Sequence, residues 1–316
     1  MSSLRYPPAG EFIPADITSH NLNRLDDDFS GGLDARRGHL RELALSISAA
    51  CDGTDDLLEV LAGFGTGIPF TPRTIPENAD FLRAGFNGLT VLEQTELCKM
   101  LAQLSRPMMK TADFFPPDEP IPLIARGTIA YLQNAFTDRA FQIFSGTMSR
   151  ARAQYHDSYP FICEAVAGGS CEACILPIEH AHDGKLNGFY RLIDRYDLKI
   201  ACTCSLPQAD SVESRFALLK KNVSTMLPRQ RLGCCFELSI TPGSGTSIAA
   251  LLNAAELCSL HLRRVDTLPL EYADDEFVFH IVLTADHETD FLPFLLFLTL
   301  KIPQYNPIGI FPHISE

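Results

Sequence analysis

Two successive patterns in the second half of the chain constrain its fold more than any other feature. After Asp138, short apolar runs alternate with helix-length segments: a strand over 141–144, a helix started by Gly146-Thr147-Met148-Ser149, a helix ending over 161–167, a strand over 174–178, a helix over 187–196 and a strand over 198–203. This βαβαβ order predicts a mostly parallel sheet. From Cys234 the pattern becomes strand 234–240, a Pro-Gly-Ser-Gly turn, helix 247–258, strands 260–266 and 276–284, helix 289–298 and a last strand near 308–311. That βαββαβ order is the signature of a ferredoxin-like sandwich.

The first half has a different character. Pro7-Pro8, Pro14, the run Asp26-Asp27-Asp28 and Gly31-Gly32 predict a loose arm over residues 1–32, which cannot bury enough apolar surface to order itself. Leu40, Leu43, Ala44, Ile47 and Cys51 recur at three and four and predict a helix face. Thr54 with Asp55 and Asp56 starts a second helix that Gly63 stops, and a turn-rich link follows over 65–76. Thr90 and Glu93 have capping-box spacing, Leu97, Met100, Leu101 and Leu104 continue an amphipathic helix, and Pro107 ends it. The proline-dense stretch Pro116 to Pro122 reads as a spacer before one more helix, over 123–135. The expected organisation is therefore an arm over 1–32, an all-helical domain over 33–138, an α/β lobe over 139–230 and a βαββαβ domain over 231–316.

A net charge of −13 with no cluster of Lys and Arg argues against nucleic acid or an anionic membrane as partner. No apolar run has the length of a membrane span, and the polar, Pro-rich start has no secretion-signal pattern, so the cytoplasm is the expected compartment. The ten cysteines then read as buried thiols. Cys171 with Cys174 and Cys202 with Cys204 have the spacing of a four-thiolate zinc site, yet both pairs flank strands, where cysteine serves as a small apolar filler. Cys234 and Cys235 are adjacent in one strand and point to opposite faces. His180 and His182, between Glu179 and Asp183, have the donor types for a metal, but an exposed polar turn solvates such histidines. No metal and no cofactor is expected.

Ligands of open α/β sheets collect beyond the carboxyl ends of strands, which draws attention to the turn from Glu179 to Gly184. Ser214-Arg215-Phe216 is the other polar constellation in this part: a hydroxyl donor beside a planar guanidinium fork suited to a carboxylate. Its bland reading is a strand with Phe216 buried and the polar pair in solvent. Thr241-Pro-Gly-Ser-Gly245-Thr246 leads into a helix N-terminus, which favours an anion or serves only to turn the chain.

Four stretches resemble prephenate dehydratase with its C-terminal ACT regulatory domain, in that family's order, across residues 139–314. Gly146-Thr-Met-Ser149 is similar to the Gly-Thr-aromatic-Ser turn, and Ala165-Val-Ala-Gly-Gly169 followed by Leu176-Pro-Ile-Glu179 and Gly184 is similar to the Pro-Ile-Glu-Asn-Ser segment. Glu213-Ser-Arg-Phe216 is similar to the Thr-Arg-Phe motif. Val265-Asp-Thr-Leu-Pro269 and Gly309-Ile-Phe-Pro312 are similar to the ACT Ile-Glu-Ser-Arg-Pro and terminal Gly-x-Tyr-Pro segments. The chain departs from the family at His180-Ala181 for Asn-Ser, Ser214 for Thr and Leu268 for Arg, and only residues 204–213 stand where the family has a second lobe.

The resemblance implies a reaction in which hydroxyl and carbon dioxide leave together as a ring becomes aromatic. It assigns Ser214 as proton donor, Arg215 as carboxylate holder and Glu179 as their catalytic partner. Ligand contacts fall to Gly146, Thr147, Ser149, His180, His182 and Phe216, and effector contacts to Gly245, Thr246, Asp266 and Thr267. Such a reaction depends on closure around the substrate, which one lobe alone does not supply. The leading expectation is thus a dimeric relative of the dehydratases that lost a lobe and senses a prephenate-like compound or an aromatic amino acid. The alternatives are an active dehydratase or related lyase with a rebuilt site, and an interaction protein that uses the remnants as scaffold.

Overall fold

The computed structural model describes residues 36–48 in part, 89–105, 109–115, 122–148, 150–180, 184–185, 187–207, 213–222, 233–241, 247–269, 277–302 and 305–315. The arm expected over 1–32, the helix over 54–63, the link over 65–76 and most of the proline-dense spacer lie outside these residues. Among the described residues no helix is long and apolar enough to cross a membrane.

Helix α1 (Val91–Ser105) forms where the capping box predicts it. The Thr90 N–H donates to Glu93 Oε2 at 2.8 Å and the Glu93 N–H to Thr90 Oγ1 at 3.4 Å, satisfying two amides that the first turn leaves open. Leu97 and Leu101, one turn apart, are fully buried, and the helical residues near position 40 add Leu40, Ala44 and Ile47 to the same core.

The next elements correct the expected pattern. Residues 123–127 form a turn, and β1 (Thr128–Tyr131) follows where a helix over 123–135 is expected. Helix α2 (Ala135–Ser145) takes in the expected strand over 141–144. Asn134 decides this start, because its side chain accepts from the N–H groups of Phe136 and Thr137 at 3.0 Å each. Thr137, Ala140 and Phe144 then lie on one helical face, a spacing that a four-residue apolar window cannot distinguish from a strand. Gly146 ends this helix, its N–H donating to Ile143 O, so Gly146–Thr147 closes an element where one is expected to begin.

Strand β2 (Arg152–Tyr155), helix α3 (Tyr159–Ala167), β3 (Ala173–His180), the short β4 (Gly184–Lys185), α4 (Asn187–Tyr196), β5 (Lys199–Pro207) and β6 (Glu213–Lys220) complete the first α/β layer set. Then follow β7 (Cys234–Ile240), α5 (Ile248–Leu257), β8 (His261–Pro269), β9 (Phe277–Ala285), α6 (Leu292–Lys301) and β10 (Asn306–Ser315), in the order read from the sequence. Among the described residues all ten strands join one mixed sheet, ordered β2-β1-β3-β6-β5-β10-β7-β9-β8, with β4 on β3. It is less parallel than expected: β2, β1 and β3 run together, but β6 lies antiparallel between β3 and β5.

Strand β10 joins the two halves. Its first part pairs antiparallel with β7 and its last three residues, His313 to Ser315, pair parallel with β5. Gly309 permits the crossing, because a Cβ there would overlap the carbonyl oxygen of Ile200, with Ile200 C and N at 3.1 and 3.2 Å. On one face of the β7–β9 half, Phe236, Leu238, Ile281 and Leu283 pack with α5, α6 and α1 in a single core. Helix α1 is therefore part of the outer layer of this half. On the opposite face, Cys235, Val282 and Phe311 share a core with Tyr190 and Ile193 of α4 and with β3, β5 and β6. Helix α2 covers the remaining face, over Cys202, Cys204, Phe216 and Leu218.

Candidate functional site

Strand β3 closes with Leu176-Pro-Ile-Glu179-His180, and a bulge at Ile178 changes its register with β6, so that Pro177 faces Phe216 while Glu179 faces Arg215. The bulge re-aims the carboxylate onto the face that looks toward β7–β9. There Glu179 meets two guanidinium groups. Arg215 Nη1 lies 3.4 Å from Glu179 Oε2, and Arg264 Nη1 of β8 donates to Glu179 Oε1. Arg264 also holds Asp266 through Nε, at 3.0 Å. Burial alone would raise the Glu179 pKa, but the hydrogen bond and charge of Arg264 and the charge of Arg215 outweigh it and hold the carboxyl below its ordinary value.

These groups border a cavity of about 280 Å³, closed by Ile178, Thr203, Glu237, Arg263 and Phe311. Two polar atoms of opposite kind are buried beside it: Arg215 Nε, a donor with no hydrogen-bond partner among the described residues, and Glu237 Oε1, an acceptor. Buried polar groups are ordinarily satisfied, so Arg215 Nε marks a place for a ligand or water, while Glu237 has the Tyr190 hydroxyl beside it as a donor. Glu237 stands near His280, whose Nδ1 is 3.9 Å away and whose ring packs against Tyr190 at 4.4 Å.

His313 of β10 reaches the same side of the sheet. Its Nδ1 is 2.9 Å from Thr203 Oγ1 and its Nε2 is 3.2 Å from Ser205 Oγ. Burial, followed by the positive charges of Arg215 and Arg263, pushes its pKa down to about 4, so the imidazole is neutral at pH 7. No sequence motif announces His313; only the parallel pairing of β10 with β5 brings it here. Arg264 is hidden in the same way, since its contact with Glu179 spans two halves of the sheet.

The sequence-derived site is divided by this geometry. Glu179 and Arg215 come together, but Ser214 and Phe216 do not join them. Alternation turns both to the other face, where Ser214 is 1% exposed opposite Leu206 and Phe216 packs with Tyr131 and Phe144. Gly146 and Thr147 sit beyond the opposite end of the strands, Thr147 lining a second cavity with Glu172, which precedes β3. Asp266 belongs to the Arg264 pair, while Thr267 is exposed on β8. His180 ends β3, but its side chain, with Ser149, His182, Gly245 and Thr246, lies outside the described residues.

The four-thiolate spacing does not converge: Cys171 and Cys174 are buried in the core under α3, and Cys202 and Cys204 in the core under α2. Among the described residues no group of three or more His, Cys, Asp or Glu is placed to hold a metal ion. Cys234 and Cys235 do point to opposite cores, as alternation requires.

No family model matches the chain, and no curated protein matches it. Among solved structures, it is similar to prephenate dehydratase from Streptococcus mutans at a TM-score of 0.50 and 18% identity, over 59% of this chain and 98% of that one. Weaker similarities include the quorum quenching acylase GqqA, with a TM-score of 0.44 and 17% identity over 59% and 95% of the two chains. Another is a prephenate dehydratase from Arthrobacter aurescens in complex with L-Phe, with a TM-score of 0.45 and 12% identity over 58% and 90%. The first of these shows a prephenate-dehydratase-like mixed α/β fold.

Proposed function

We propose that the chain is a prephenate-dehydratase-like protein that senses a small carboxylate in aromatic amino-acid metabolism and does not itself dehydrate prephenate. The observation that carries this reading is the separation of Ser214 from Arg215 by strand alternation, together with the engagement of Glu179 by Arg264. A proton donor and a carboxylate holder on opposite faces of one sheet cannot address one substrate. Arg215 and Arg263 on the 280 Å³ cavity supply the forks for a carboxylate, and Glu237 supplies an acceptor for an amino or hydroxyl group. An aromatic amino acid or a prephenate-like acid fits that donor set.

In this reading residues 231–316 are an ACT-like unit, supported by the order β10-β7-β9-β8 with α5 and α6 on one face. The α/β lobe is single and truncated, and it begins with β1 rather than at residue 139, because β1 pairs between β2 and β3; the β7–β9 half serves as the second wall. The chain pairs as a homodimer through the outer edge of β8, which ends the sheet and exposes Leu262 and Val265. A second reading, a lyase with a rebuilt site, is favoured by one observation: His313, neutral at pH 7 and on the cavity side of the sheet, offers a general base there.

Two measurements separate the readings. A thermal-shift screen of prephenate, chorismate and the aromatic amino acids identifies the ligand, since one present at a hundredfold over its dissociation constant stabilises the folded state by about 2.7 kcal/mol. Incubation with prephenate, followed by detection of phenylpyruvate, tests catalysis. Turnover abolished by Ser214→Ala would sink the sensing reading, and turnover abolished by His313→Gln alone would establish the second.

A further inference from the structure

A second, larger cavity of about 840 Å³ lies at the other end of the same strands. Strands β1, β2 and β3 are parallel and all begin there, while β6, antiparallel to β3, ends there at Lys220. From Glu172 to Glu179 along β3 is about 23 Å at the rise of an extended strand, so the two cavities are separate. The lining carries four cations, Arg126, Arg150, Arg152 and Lys220, against one carboxylate, Glu172. In a chain whose net charge is −13, such a grouping runs against the composition.

The grouping is also anchored. Glu172 accepts from the Gly127 N–H at 2.7 Å and from Lys220 Nζ at 2.9 Å, so both its oxygens are engaged and it fixes the floor. Those bonds hold its carboxyl below the ordinary value against the desolvation that would raise it, so it is ionised at neutral pH. Arg152 is oriented by Nη2, which donates to the carbonyls of Ile124 and Arg126 and to Thr128 Oγ1. Arg150 stands on the rim in a left-handed conformation, φ 61°, unusual for a side chain of this size. With Glu172 committed to Lys220 and Gly127, the three arginines leave the cavity strongly positive.

We propose that this cavity binds the phosphoryl group of a small phosphorylated metabolite, at a site independent of the carboxylate cavity. Guanidinium forks match phosphate oxygens two at a time, and several of them converging on one volume suit a dianion better than a single carboxylate. The volume lies in the range of small-molecule sites and accommodates the rest of such a ligand against Leu123 and Met148.

Calorimetric titration of the full chain with inorganic phosphate, pyrophosphate and ribose 5-phosphate at constant ionic strength tests the proposal, with citrate as a polycarboxylate arm. Saturable binding of the phosphate compounds is expected. Arg150→Gly should weaken it about tenfold or more, the loss of one charge-assisted contact. Glycine accepts the left-handed backbone, so this variant should fold, which a melting curve confirms. Arg37→Ser, which removes an exposed cation elsewhere, should leave binding unchanged. The absence of saturable binding by all three phosphate compounds, wild-type affinity in both Arg150→Gly and Arg126→Ser, or citrate bound more tightly than every phosphate compound would each overturn the proposal. None of these results bears on the carboxylate cavity.

Discussion

Replacing Glu179 by glutamine keeps the shape of the side chain and removes the charge on which two arginines converge. Glu179 is 23% exposed at its side chain, Arg215 15% and Arg264 28%, so the cluster is neither dry nor freely solvated. At an effective dielectric constant near 20, each unit-charge contact at about 4 Å is worth roughly 4 kcal/mol before desolvation. Part of this is lost in the wild type to desolvation of the ions, and in the variant water partly resolvates the stranded arginines. A net loss of about 2–3 kcal/mol at pH 7 follows, below the range for a fully buried pair. The assay is urea unfolding of both proteins from pH 7 to pH 3.5. The folded-state pKa of Glu179 lies below its ordinary 4.5, so its stabilisation is complete above that value and fades as pH falls through the folded pKa. The gap between wild type and Glu179→Gln should therefore close on acidification. A gap under about 0.5 kcal/mol at pH 7, the scale of an ordinary surface pair, would refute the convergence. So would a gap that stays constant across the pH range.

Gly309→Ala should cost about 2–3 kcal/mol by urea unfolding, because the clash is with the backbone of Ile200 and no side chain can yield; an unchanged midpoint would mean that β10 does not cross there. For His313, the folded-state pKa of about 4 lies below the ordinary 6.5, so its stabilisation is present above pH 6.5 and is lost as pH falls toward 4. His313→Gln, which stays neutral, should flatten that part of the stability profile, and a profile of unaltered slope would contradict the assignment. Leu101→Ala should destabilise by about 2–5 kcal/mol in a single cooperative transition, since the residue is fully buried against the α5–α6 layer. A separate early transition carrying the whole effect would instead mean that α1 folds apart from the sheet.

Much of the fold was legible because its signals are local. The apolar run Ala173 to Ile178 is flanked by glycines before and a polar turn after; α4 has an apolar stripe at Phe189, Tyr190 and Ile193; Thr90 and Glu93 fix a helix start through bonds three residues apart. These depend on backbone sterics and short-range hydrogen bonding, which neighbouring residues settle. The misreading between 123 and 149 has the same basis. Ile129-Ala-Tyr131 and Phe141 to Phe144 are stretches of three and four residues, too short for their period to show, and only the Asn134 cap separates them.

The site is another matter. The sequence determined that a buried strand over 174–178 leads into Glu179, and the strand reading of Ser214-Arg215-Phe216 already required Ser214 and Arg215 to face opposite ways. The tertiary structure decided the rest: that a bulge at Ile178 turns Glu179 toward β8, that Arg264 arrives from a strand 85 residues away, and that β10 lays His313 against Thr203 and Ser205. Strand order and register arise from packing between distant elements, and one residue of register reverses every side chain. Only the assembled sheet selects which charges meet.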